Sequence, residues 1–538
     1  MKRRYSTVIR QFLSWPIQRS WILVWLATNS IWLANASGET SIEITFLDKT
    51  SGERISSRVE FVKPLTKAPR PRGALVAGRQ LLVEKTAHFA PAPGAYEFMV
   101  RRGPEFSEIR GGFAIEKNAQ DAIEVYVPHK TPMRSNGWHS GDLHSPMADQ
   151  LLARWMRADD LDVVVSTDSN ATQTPANTQA KSSLNYSPGR FDASVARESS
   201  GDKKLVPQAL NHVQTHSILW DRPDQCGLLV HQLNALPLDP TVATSFALFE
   251  QIQEKESSFI EVTKPWDRDL PLLLATGRVD AIQLLSNHLR PDSCDPISIK
   301  VRNPDPLRFK GKKALARLSE HLYWKILDAG LRLPPTAGSG FDGKSLTHLG
   351  YNRVYVWLAP ELPRSIESWW SQLRAGHTMV TNGPLLYATI NGLPAGSVHP
   401  SYRREPIPLD IELELTVRDP VEYLDVVFNG KAIYQARLED HAKRGQFPPL
   451  NITESGWLVL RVVTEHEDSY RMATTAPFYF EFDGQPRVSR SAVQFFQDWL
   501  DEIRVPLERN TAIHPSYLTA IGRAKEFWNE RASIANAE

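Results

Sequence analysis

Apolar and polar positions follow two different periods along this chain, and each change of period marks a change of architecture. From 37 to 130 the period is two. Ile42, Ile44 and Phe46 alternate with polar neighbours, Ser51-Gly52 offers a turn, Val59 and Phe61 resume the alternation, and Ile123 to Val127 close the segment. This predicts a small β domain. From 131 to 384 strands alternate with helical stretches. Leu151 to Ala158 has helical spacing. Leu161 to Val165 reads as a buried strand ending on Ser166-Thr167-Asp168-Ser169-Asn170, and Val279 to Leu284 leads to Ser286-Asn287-His288. Such alternation predicts an α/β domain, which places its chemistry at polar strand ends. Residues 171–200 read as a long polar loop. From 385 to 484 the period returns to two through Leu409, Ile411, Leu413, Leu415 and Val417, and Asn429-Gly430 marks a hairpin turn, so a second β domain follows. In 485–538, Ala492, Val493, Phe496, Trp499, Leu500 and Ile503 share one helical face behind Ser489 or Ser491 as cap, and Tyr517 to Ala532 predicts a last helix.

Residues 1–36 carry Lys2, Arg3, Arg4, Arg10 and Arg19, then the short apolar run Trp21 to Leu33, then Ala34-Asn35-Ala36. That is the order of a cleavable secretory signal. A retained anchor is the rival, but Thr28, Asn29 and Ser30 interrupt the run below the ~20 apolar residues a span needs. The expectation is export, periplasmic or extracellular, with no membrane span after cleavage. The 538 residues imply several domains, and the net charge of +1 without blocks of like charge excludes nucleic acid as a partner. Two cysteines, Cys226 and Cys294, exclude a disulfide framework and a multi-cysteine zinc site. A bridge between them and two buried thiols both remain open.

The most informative pair of segments is Gly137-Trp138-His139-Ser140-Gly141-Asp142-Leu143-His144 and the strand end Thr167-Asp168-Ser169-Asn170. With Leu331 to Ser339, Tyr351 to Val356 and Leu373 to Pro384, they resemble the PHP (polymerase and histidinol phosphatase) superfamily, in its secreted CehA/McbA-like branch. The stretch Pro93 to Val100 is similar to strands of transthyretin-like and carboxypeptidase-regulatory-like sandwiches. The resemblance implies a multidomain α/β plus β protein: a distorted β/α barrel flanked by two β sandwiches, with a C-terminal helical tail. It also implies two or three divalent metals at the strand ends, activating water against a phosphoester.

The chain departs from that ligand pattern. The first His-x-His falls on His144 and Pro146, the Asp-His on Asp168 and Ser169, and the closing Asp-x-His on Ser339-Gly340-Phe341. A mid-barrel histidine becomes Lys264, whose ammonium repels a metal. No family glutamate appears between Gln214 and Leu219. What remains is Asp142, His144, Asp168 and His288 as weak metal candidates, with Lys264, Asp269 and Asn287 in the cleft. Three readings follow. One is a metallohydrolase homologue with lost or reduced hydrolysis and a metal-free cleft, Lys264 pairing with Asp142 or Asp168. Another is a non-catalytic binding protein for a glycan or phosphorylated small molecule. The last is an active hydrolase holding one zinc or manganese. His139, His212, His216 and His231 have no ligand spacing, and Trp266, Trp369 and Trp370 read as packing before they read as a carbohydrate platform.

Overall fold

The structure, a computed structural model, describes residues 9–10, 40–63, 72–77, 80–147, 149–168, 210, 212–221, 226–232, 244–252, 258–290, 305, 307–343, 347–402, 405–467, 469–509 and 515–538. Residues 1–36, apart from Ile9–Arg10, which pairs in parallel with Leu415–Thr416, lie outside them, as do residues 171–200 and Cys294. Among the described residues no helix is long and apolar enough to cross a membrane.

The molecule is mixed α/β and dominated by sheets. Seven strands between Ser41 and Val127 form one sheet, with Ser41–Asp48 parallel to Gln120–Val127 and antiparallel to Gln80–Phe89. The period of two works as expected: Ile42, Ile44 and Phe46 are buried, and Phe61 meets Phe89 edge-on with centroids 5.6 Å apart.

A nearly closed, barrel-like sheet follows. Its strands are β1 (Trp138–Ser145), β2 (Val163–Asp168), β3 (Val213–Trp220), β4 (Leu228–Gln232), β5 (Ser258–Val262), β6 (Ala281–Leu285) and β7 (Pro335–Ala337). All pair in parallel except β4, which runs against both neighbours. Gly340 N, just past β7, donates to the His144 carbonyl at 2.8 Å and draws the two ends of the sheet together. The helix Ile366–Arg374 fills one side of this core: Trp369 and Trp370 are buried, Trp370 lies against His231 and Phe259, and a Cβ on Gly141 would stand 2.7 Å from Trp369. These tryptophans are core packing.

The sheet does not stop at the barrel. β8 (Arg353–Trp357) pairs with β1, and β9 (Thr378–Thr381) pairs with β8 and with Met472–Thr475, which belongs to the C-terminal β region. A second sheet, built on Leu385–Ile390 and Ile411–Thr416, shares one apolar core with it through Leu413, Leu415, Val426, Leu460 and Phe480. The hairpin turns at Asn429-Gly430, both with left-handed φ. Ser489 Oγ caps the helix Arg490–Arg509 by accepting from Ala492 N, and Pro515–Ser533 packs beside it.

An acidic turn joins these parts. The helix Asp149–Asp159 ends with Asp160 in the left-handed region and Leu161 N bonded to Met156 O, a Schellman-type stop. Arg58 binds Asp159 at 2.6 Å, Arg102 binds Asp160 at 2.7 Å, and Arg134 binds Asp160 and Asp162 at 3.1 and 2.7 Å. Burial alone would raise the Asp160 carboxyl, but Arg102 and Arg134 overcome it and hold it down to about 2. Asp160→Asn keeps the left-handed backbone and removes the charge. It is expected to cost about 3 kcal/mol in urea unfolding at neutral pH, because two guanidiniums lose a buried partner. The loss should shrink as pH falls from about 4 towards 2, where the wild-type carboxylate also takes up its proton.

Candidate functional site

The parallel strands of the barrel end on one rim, and the polar strand ends collect there. A Cβ on Gly338 would lie 2.6 Å from His144 Cβ and 2.7 Å from Gln283 Nε2, so only glycine permits this approach of the loop after β7 to β1 and β6. His144 is buried and its Nδ1 has no hydrogen-bond partner among the described residues. Burial, then His288, Arg290 and His231 nearby, push its imidazole down to about 3. At neutral pH it is a neutral donor and acceptor. His288 follows β6 in the short helical turn Asn287–Leu289 and meets Trp266 edge-on at 5.6 Å. Asn287 packs against Gly340.

Asp142 is committed to the backbone. Its Oδ1 accepts from Ser339 N at 2.9 Å and His144 N at 3.2 Å, and its Oδ2 from Gly350 N at 2.7 Å. Burial nonetheless outweighs these donors and pushes its carboxyl up to about 6. The carboxylate ties together β1, the loop after β7 and the loop before β8.

Lys264 departs from expectation. Its Nζ sits 2.5 Å from Asp221 and 3.2 Å from Asp267, so its charge is met by the ends of β3 and of its own turn, and Asp142 is not its partner. Two nearer carboxylates on the same rim won the ammonium. Asp269 is bound by Arg268 at 2.7 Å and by the Tyr517 hydroxyl at 2.7 Å, which fastens the tail helix Pro515–Ser533 to this part of the barrel. Asp168 ends β2 on the expected rim, but its side chain lies outside the described residues. Cys226 is a buried free thiol donating to Asp267 O.

The sequence reading missed the centre of the barrel. Glu261 of β5 accepts from His231 Nε2 at 2.9 Å, from Gln283 Nε2 at 3.0 Å and from Thr336 Oγ1. The other ring nitrogen, His231 Nδ1, is buried and has no partner among the described residues. A single glutamate inside the otherwise apolar run Phe259-Ile260-Glu261-Val262 was the available signal.

Among the described residues no group of three or more His, Cys, Asp or Glu stands where it could hold a metal ion. The buried acids Asp142 and Glu261 have their oxygens occupied by protein donors. The described residues therefore do not fit a dinuclear centre. Comparison of the chain with protein-family models, curated proteins and solved structures finds no match.

The depressed His144 basicity sets a sign. The unfolded chain takes a proton below about 6.5 that the folded chain refuses until about 3, so His144 weakens the fold as pH falls through that window. Urea unfolding of His144→Gln against wild type should show the difference shifting in the variant's favour between pH 7 and pH 4. A constant difference across that range would remove His144 from the buried rim.

Proposed function

We propose that this is an exported, PHP-like protein without its family's hydrolysis, whose barrel rim holds a small polar ligand such as a glycan or a phosphorylated compound. The architecture in this reading is the distorted barrel between two β sandwiches. The observation that carries it is the commitment of the buried carboxylates: Asp142 to three backbone amides and Glu261 to His231, Gln283 and Thr336. Lys264, with Asp221 and Asp267, stands where the family resemblance would put an imidazole. What the rim offers instead is neutral: the His144 imidazole and the Ser286 and Asn352 side chains, each with a buried atom lacking a partner among the described residues. Buried donors and acceptors of that kind favour a hydroxyl-rich ligand, which satisfies them on binding.

Metal analysis of the purified chain, after equilibration with zinc or manganese, tests the reading. The expected content is well below one ion per chain, with no turnover of p-nitrophenyl phosphate or its bis-ester above buffer. A stoichiometric ion that disappears in Asp168→Ala, together with hydrolysis, would restore the mononuclear enzyme and overturn the proposal.

A further inference from the structure

Away from the barrel rim, the helix Ala314–Asp328, the turn Asn429-Gly430 and the start of the helix Arg490–Arg509 border a partly open cavity of about 320 Å³. That volume lies within the ~300–1,000 Å³ of small-molecule sites. Arg308, Lys325, Lys431 and Arg487 line it, against Asp328 and Glu538. Asp328 is engaged: its Oδ1 accepts from Trp457 Nε1 at 2.9 Å, and burial pushes its carboxyl up towards the neutral form. Among the described residues no carboxylate lies within ion-pair distance of Arg308, Lys325 or Lys431. Arg308 is steadied on the Phe309 face and Lys325 on Phe495. Arg487 is already partly met: its guanidinium lies 3.9 Å from Asp328 and 3.8 Å from Glu454 and donates to the Glu538 carbonyl at 3.4 Å.

These cations come from separate parts of the chain and face one space; Asp328 offsets part of their repulsion, but Arg308, Lys325 and Lys431 keep no carboxylate at ion-pair distance among the described residues. The start of the helix Arg490–Arg509 adds partial positive charge on the same side. His321, in the same wall, registers the field: burial first, then Arg308 and Lys325, push its imidazole down to about 4.

We propose that this cavity binds a small anion carrying two or more phosphate or carboxylate groups, independently of the ligand at the barrel rim. One monovalent oxyanion would leave most of the three cations Arg308, Lys325 and Lys431 unmet, whereas a divalent or trivalent one can bridge the helix and the hairpin.

Isothermal titration of the full chain at low ionic strength, with inorganic pyrophosphate in one arm and citrate in the other, separates phosphate from carboxylate recognition. One of the two should bind with one site per chain. The pair Lys325→Ala/Lys431→Ala should weaken it by about tenfold or more, while His144→Gln at the barrel rim should change it by less than about twofold. Neither lysine has a carboxylate partner, so the double variant should keep the wild-type melting transition by circular dichroism. Absence of binding by both anions at millimolar concentration, or affinity unchanged in the folded double variant, overturns the proposal. Equal loss in His144→Gln also overturns it, because the anion would then sit at the rim.

Discussion

Everything in the molecule is referred to a single acidic turn, Asp159-Asp160-Leu161-Asp162, and to the arginines that hold it. The turn ends a helix, starts β2 and touches the N-terminal sheet, and each task uses a different carboxylate. Asp159 receives Arg58 from the N-terminal sheet, Asp160 receives Arg102 and Arg134, and Asp162 receives Arg134 and the Ser140 amide of β1. Taking such charges out of water is costly unless every partner is in place. The arrangement is therefore one of all or nothing, and it fixes the register of β1 against β2. That register in turn puts His144 and the end of β2 on the same rim.

At the rim the physical theme is neutrality. Three amides surround Asp142, three side-chain donors surround Glu261, and two aspartates surround Lys264. Each charge is met locally, so little field is left over for an ion. The cavity beside the C-terminal helices is the reverse. There Arg487 is met by Asp328 and Glu454, while Arg308, Lys325 and Lys431 have no carboxylate at ion-pair distance among the described residues. The two places thus suit ligands of different character.

The order of elements was legible from periodicity because each segment buries one face. Leu151 to Ala158 became the helix Asp149–Asp159, Ile411 to Leu415 became a strand with Ile411 and Leu413 buried, and Asn429-Gly430 became the turn. The polar strand ends were legible as well, and Asp142, His144, Asn287 and His288 do share one end of the barrel. Pairing was not. A lysine's partner depends on which carboxylates folding brings within its reach, and Asp221 and Asp267 are recognisable only once β3 and β5 are neighbours' neighbours across β4. The partner of Asp269 was equally hidden, because it is the Tyr517 hydroxyl of a helix almost 250 residues later. His231 and Glu261 come from adjacent strands, so neither one alone announces the pair. The antiparallel β4 was also beyond reach, since a buried apolar strand reads the same in either direction.

The antiparallel pair of β8 and β9 carries hydrogen bonds to a barrel strand on one edge and to a C-terminal strand on the other. A hinge between barrel and C-terminal region would have to tear those ladders, so the two regions move as one plate. Any opening of the rim must come from the loops above the strands. The span from the rim to the cation-lined cavity should act as a fixed ruler, holding any occupants of the two places at constant separation.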